Sequence, residues 1–100
     1  MKIILTIDEI KSAVIPIAET YGVKKVNLFG SYARGEANNS SDVDILIDKG
    51  KLHGLIQYFS FAHELEDKLG CHVDVVTEGI QDKNFLDEIK NEGILLYKNE

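Results

Sequence analysis

The chain has 100 residues, with 17 Asp and Glu against 11 Lys and Arg, a formal net charge of −6 and a pI near 5.0. No cationic run is longer than the pair Lys24-Lys25, so the chain lacks the clustered charge needed to grip a phosphate backbone by itself. No apolar stretch reaches membrane-spanning length, the opening MKIILTIDEIK is too short for a signal core, and a single cysteine, Cys71, excludes an internal disulfide. One domain over residues 1–100 in a reducing cytoplasm, with neither membrane nor direct nucleic-acid contact, is the expectation.

In chain order, Thr6-Ile7-Asp8-Glu9 has the pattern of a capping box, with Leu5 and Ile10 placed as the accompanying staple. Ile7, Ile10, Val14, Ile17, Ala18 and Tyr21 recur at helical spacing up to Gly22, and Pro16 predicts a bend or break in that helix. Val23–Phe29 reads as a strand. A short helix over Tyr32–Ala37 follows, and Asn38-Asn39-Ser40-Ser41 is turn chemistry. Asp42–Ile47 is the second strand. Leu52–Leu69 is a long helix whose apolar face runs through Leu55, Phe59, Ala62, Leu65 and Leu69, widened by Leu52, Ile56 and Phe61.

Cys71–Val76 is a third strand, Asp82–Asn91 a last amphipathic helix closed by Gly93, and Ile94–Tyr97 a final strand. The order αβαβαβαβ predicts an α/β (α+β) layer fold with a small mixed sheet flanked by helices. The link between the first two strands is about a dozen residues long, which fits an antiparallel return or a tight crossover.

The chemistry gathers in residues 26–48. Asp42 and Asp44 alternate with Val43, Ile45 and Ile47, so both carboxylates share one strand face, with Cα atoms roughly 6.5 Å apart. Aspartate is a poor strand residue, yet Asp74 repeats the anomaly in Val73-Asp74-Val75-Val76. If the two strands are neighbours, three hard oxygen donors converge, a set suited to Mg²⁺ or Mn²⁺. Gly30-Ser31, between a strand and a short helix, is either a phosphate-receiving corner or an ordinary turn with Ser31 as N-cap. His53, His63 and His72 have no common ligand spacing; His72 shares Asp74's strand face and is a candidate lining residue. Cys71 reads as a small buried residue.

Gly30-Ser31-Tyr32-Ala33-Arg34-Gly35 followed by Ser41-Asp42-Val43-Asp44 resembles the G-S-x-A-R-G…S-D-x-D signature of the DNA polymerase β-like nucleotidyltransferases. The size is similar to the smallest branch, the minimal nucleotidyltransferase (MNT) proteins. The resemblance implies Mg²⁺-dependent transfer of a nucleoside monophosphate, usually from ATP, to an acceptor hydroxyl with release of pyrophosphate. It implies that Asp42, Asp44 and Asp74 are the catalytic carboxylates and ligate two Mg²⁺ ions, with Mn²⁺ an alternative, and that Gly30, Ser31 and Arg34 bind the nucleotide. Arg34 either offsets phosphate charge or pairs with Glu36 or Asp48 to stiffen its loop.

The resemblance further implies a HEPN-domain partner, the chain being an antitoxin that adenylylates a tyrosine of a HEPN toxin. Two other accounts stand beside it, a non-catalytic module that masks its partner and adenylylation of a small hydroxylated molecule. The partner list also admits a homo-oligomer.

Overall fold

The computed structural model describes residues 4–80 and 82–99. Eight regular elements follow in order: helix α1 (Ile7–Tyr21), strand β1 (Lys25–Phe29), helix α2 (Gly30–Arg34), strand β2 (Val43–Asp48), helix α3 (Gly54–Leu69), strand β3 (Val73–Thr77), helix α4 (Lys83–Glu92) and strand β4 (Ile94–Lys98), with a 3₁₀ turn at Glu78–Ile80. The expected alternation is present, with some boundaries met and the others moved by at most three residues.

The ends follow local chemistry. Thr6 accepts from the Glu9 backbone N–H at 3.0 Å while Glu9 accepts from Thr6 N–H at 2.9 Å, so the capping box is complete. Gly22 ends α1 in the left-handed region. Pro16 does not break the helix: α1 runs through it, and the Thr20 hydroxyl donates to the Pro16 carbonyl at 2.9 Å. The second helix lies two residues earlier than the spacing predicts, starting at Gly30, with Phe29 rather than Ser31 in the N-cap position.

The sheet is mixed, in the order β3-β2-β1-β4. β1 is antiparallel to both β2 and β4, while β2 and β3 are parallel, joined by the α3 crossover. The link from β1 to β2 is therefore an antiparallel return. On one face Val26 and Leu28 of β1, Val43, Ile45 and Ile47 of β2 and Leu96 of β4 pack with α1 and α3 into the core. The other face carries Phe29, Asp44 and Asp74 across one row and Lys25 beside Asp48 at the far end. α4 covers part of it, with Phe85 edge-on to Phe29 at 6.1 Å.

One expected face is corrected. α3 buries Phe61, Leu65 and Leu69, with Leu52 just ahead of it, whereas Leu55, Ile56 and Phe59 are 73%, 84% and 56% exposed. Apolar residues surround the first half of α3, so periodicity alone leaves its rotation open. Two tertiary contacts decide it. Phe61 packs edge-on against Tyr21 at 5.7 Å, and the Tyr58 hydroxyl donates to the Val75 carbonyl at 2.6 Å.

Candidate active site

The site lies where β1 ends. Gly30 turns the chain with φ +72°, and a Cβ at this position would overlap Asp44 Oδ2. Both facts demand glycine: the conformation penalises an L side chain, and the Asp44 carboxyl occupies the space. Asp44 sits directly opposite Phe29, the residue before this corner. Ser31 lies half-buried in the first turn of α2, and Tyr32 anchors that helix in the core.

The connection into β2 is tied to itself. Asn38 N–H donates to Ser41 Oγ, and Ser40 N–H to Asn38 Oδ1, each at 2.8 Å. This brings Asp42 to the last position before the strand rather than inside it. The parallel ladder is joined at its start by Val43 N–H donating to the His72 carbonyl at 3.0 Å.

That ladder pairs Asp44 with Asp74. In-register neighbours project to the same face, so the two carboxyls stand side by side. Ligand atoms of Asp42, His72 and Asp74 also lie within 4.8 Å of one another. The cluster thus has two sides: Asp44 leans against Gly30, and Asp42, His72 and Asp74 gather at the open side. The Asp44 carboxyl is pushed up to about 6, chiefly by desolvation and then by the charge and hydrogen bonding of Asp74, with Asp42 adding to it and His72 opposing.

His72 is the residue that sequence reasoning undervalued. Its Nδ1 lies 2.7 Å from Glu66 Oε2 and its Nε2 2.8 Å from Asp74 Oδ1. Hydrogen bonding to Asp74, together with the surrounding negative charge, raises its pKa above the ordinary histidine value. Glu66 also accepts from Val73 N–H at 3.2 Å, linking the end of α3 to the start of β3. The signal lies in the spacing: only Gly70, Cys71 and His72 separate α3 from β3, which confines the last helical turn beside the strand.

Arg34 pairs with two glutamates. Its Nε is 3.3 Å from Glu36 Oε2 and a terminal nitrogen is 3.6 Å from Glu92 Oε2, both on the surface. Of the two partners expected within the chain, Glu36 is met; Asp48 instead accepts from Gly50 N–H at 3.3 Å at the opposite end of the sheet. His53 is the N-cap residue of α3, and Cys71 packs half-buried against the core.

The donor set fits a hard divalent cation. Two of the three side chains whose ligand atoms gather, Asp42 and Asp74, are carboxylates, and a bound cation would favour the charged form of Asp44, which desolvation first and its acidic neighbours second oppose.

Comparison with known proteins accords with this arrangement. The family described as "Polymerase beta, Nucleotidyltransferase" matches residues 12–100. A Methanocaldococcus jannaschii protein provisionally named protein adenylyltransferase, MJ0435, is 41% identical over 90 residues, covering 90% of this chain and 97% of its own length. The Thermococcus cleftensis protein adenylyltransferase MntA is 41% identical over 76 residues, covering 72% of this chain and 77% of its own. Among solved structures, a provisionally identified minimal nucleotidyltransferase superposes with a TM-score of 0.79 at 29% identity, over 90% of this chain and 95% of that one. A complex of a tri-AMPylated Shewanella oneidensis HEPN toxin with an MNT antitoxin shares the fold, at a TM-score of 0.71 and 19% identity, over 94% of this chain and 74% of that one. On the match to residues 12–100, and with relatives this similar along most of their length, the chain belongs to the polymerase beta nucleotidyltransferase family.

Proposed function

We propose that the chain is a Mg²⁺-dependent protein adenylyltransferase that moves AMP from ATP to a tyrosine hydroxyl of a HEPN-domain toxin and so acts as its antitoxin. The observation that carries the reading is the parallel pairing of Asp44 with Asp74 beside the Gly30 corner. Support for the acceptor class comes from the relatives named protein adenylyltransferase, and for the partner from the AMPylated HEPN toxin seen with an MNT antitoxin.

Asp42, Asp44 and Asp74 would hold the divalent ions, Mg²⁺ or Mn²⁺, which when bound neutralise the triphosphate and acidify the attacking hydroxyl. The chain's own residues do the rest. The Gly30-Ser31 corner would receive the triphosphate through its backbone N–H groups and the Ser31 hydroxyl, with Gly30 admitting the Asp44 carboxyl beside it. The acceptor oxygen bonds to the α-phosphorus, the bond from that phosphorus to the bridging oxygen breaks, and pyrophosphate leaves with the electron pair. The acceptor's proton passes to Asp74, whose carboxylate is oriented by His72 with Glu66 behind it. Arg34 reaches phosphate only by exchanging its Glu36 and Glu92 partners. Residues 1–100 act as one catalytic domain in the cytoplasm; no helix among the described residues is long and apolar enough to cross a membrane.

The test is incubation with α-labelled ATP, Mg²⁺ and a HEPN-domain protein encoded in the same genome. Label on the HEPN protein, abolished by Asp44→Asn, is the expected result. Neutralisation of the toxin that survives Asp42→Asn and Asp44→Asn would replace catalysis by masking. Transfer to a small hydroxylated compound without any protein would move the acceptor to another class.

A further inference from the structure

His72 is held unlike an ordinary surface histidine. Its ring lies between two carboxylates, with Nδ1 2.7 Å from Glu66 Oε2 and Nε2 2.8 Å from Asp74 Oδ1. A neutral imidazole carries one N–H and one lone pair, so one of these contacts sets a lone pair against a carboxylate oxygen unless a positive centre stands between them. A proton fills that role, and so does a divalent cation.

The two ends of the ring are not equivalent. Glu66 also accepts from Val73 N–H at 3.2 Å and its side chain is only 27% exposed, so it is fixed between α3 and the start of β3. The Asp74 end is open, and a third group joins it: ligand atoms of Asp42, His72 and Asp74 all lie within 4.8 Å of one another. Adjacent ligands of an ion that binds nitrogen and oxygen at about 2.1 Å stand about 3 Å apart, and opposite ones about 4.2 Å. The Nε2–Oδ1 pair is already close to the first spacing, and Asp42 comes within the second by a small side-chain rotation. An imidazole N–H aimed at a carboxylate is also the arrangement that fixes the tautomer of a metal-binding histidine and leaves its other nitrogen the lone pair. A histidine that only tied α3 to β3 would need Glu66 and no third group beside Nε2.

We infer that His72 Nε2 is a metal ligand beside Asp42 and Asp74, and that it makes this side of the site select a first-row transition ion such as Mn²⁺ over Mg²⁺. The inference rests on reading those aspartates as metal ligands, and not on the nature of the acceptor. The cluster's two sides then differ in chemistry. Asp44, leaning on Gly30 and paired with Asp74, offers oxygen, whereas the open side adds a nitrogen to its oxygens. Mg²⁺ keeps to oxygen ligands and its own waters, while an imidazole adds affinity for the transition ions.

Ion binding is measured on the full chain without nucleotide, in mildly alkaline buffer, for wild type and His72→Gln. Mn²⁺ is followed by loss of its free-ion paramagnetic resonance signal and Mg²⁺ by competition with Mn²⁺. The expected result is a Mn²⁺ Kd at least about tenfold weaker in the variant, with the Mg²⁺ Kd little changed. Proton NMR of the Co²⁺-loaded wild-type chain should show a strongly shifted exchangeable proton, the Nδ1–H held by Glu66, that is missing from His72→Gln. Melting temperatures in metal-free buffer record any tether that His72 provides, and a tether alone moves these while leaving the ion preference as it was. An equal Mn²⁺-to-Mg²⁺ preference in the two proteins overturns the proposal, as does a wild-type chain without the shifted proton or one that binds neither ion. Loss of both ions in Asp74→Asn alongside an unchanged preference in His72→Gln strikes His72 from the ligands and leaves the carboxylate reading standing. AMP transfer with Mg²⁺ and ATP decides the adenylyltransferase reading separately.

Discussion

Neighbouring residues of one strand meet opposite environments. Ile45 is fully buried between β2 and the α1–α3 layer, and the next side chain back, Asp44, stands on the other face among carboxylates. Val43 and Ile47 continue the first face as core, while Asp42 at the strand's entry continues the second as charge. The core face lowers the free energy of folding by removing apolar area from water. The Asp44 face works against it, since the fold takes this carboxyl partly out of water and sets it among like charges, both of which raise its pKa. The same strand therefore stabilises through one set of alternate residues and gives up stability through the other, the set to which the proposed function assigns the chemistry.

Ile45→Ala should break the first face most severely. A fully buried isoleucine truncated to alanine costs about 2–5 kcal/mol, read in a urea or thermal melt, while transfer activity per folded molecule stays near wild type. Asp44→Asn should do the reverse, lowering AMP transfer at least about 10²-fold, the scale on which one charge-stabilising group acts. In metal-free buffer at pH 7.5 it should also raise the melting temperature, because a charge that is desolvated and repelled by Asp74 is gone. An unchanged or lower melting temperature would show that Asp44 is not held against its neighbours' charge.

Gly30→Ala sits between the two faces. The added Cβ must displace the Asp44 carboxyl and adopt φ +72°, so a loss of about 1–3 kcal/mol and of ATP binding should appear together. Tyr58→Phe should cost only about 1 kcal/mol, the net value of one hydrogen bond, and free the Val75 carbonyl for faster exchange of nearby amides.

The pH dependence sharpens the same contrast. Asp44 holds its proton up to about 6 in the folded chain against an ordinary 3.8, so between those values the native state binds more protons than the unfolded state. Stability contributed by this group therefore falls as pH rises from about 4 to about 6 and is level beyond. His72 adds a contribution of the same slope at higher pH, present below the ordinary histidine range and lost as pH passes its raised value. Melting temperatures of wild type and Asp44→Asn in metal-free buffer should differ increasingly from pH 4 to 6, and a constant difference would refute the shift. Mg²⁺ with ATP should restore the wild-type melting temperature at neutral pH but not that of Asp44→Asn.

Much of this was legible along the chain. The capping box at Thr6, the alternation Asp-Val-Asp-Ile and the glycines ending α1 and α3 are short-range signals, and each acts within a few residues of where it is written. The Gly30 corner and the spacing of Asp42 and Asp44 belong to the same class. Other features depend on which distant segments share a surface. Asp74 meets Asp44 because β3 pairs in parallel with β2 at one register, and a slip of one residue would turn the aspartate to the core face. His72 reaches Glu66 only through the short α3–β3 connection, and the exposed face of α3 was set by Phe61 against Tyr21 and by Tyr58 at the strand edge. Local backbone preferences chose the elements; long-range packing, where only the sum of buried contacts decides, chose their register, their rotation and the company kept by the carboxylates.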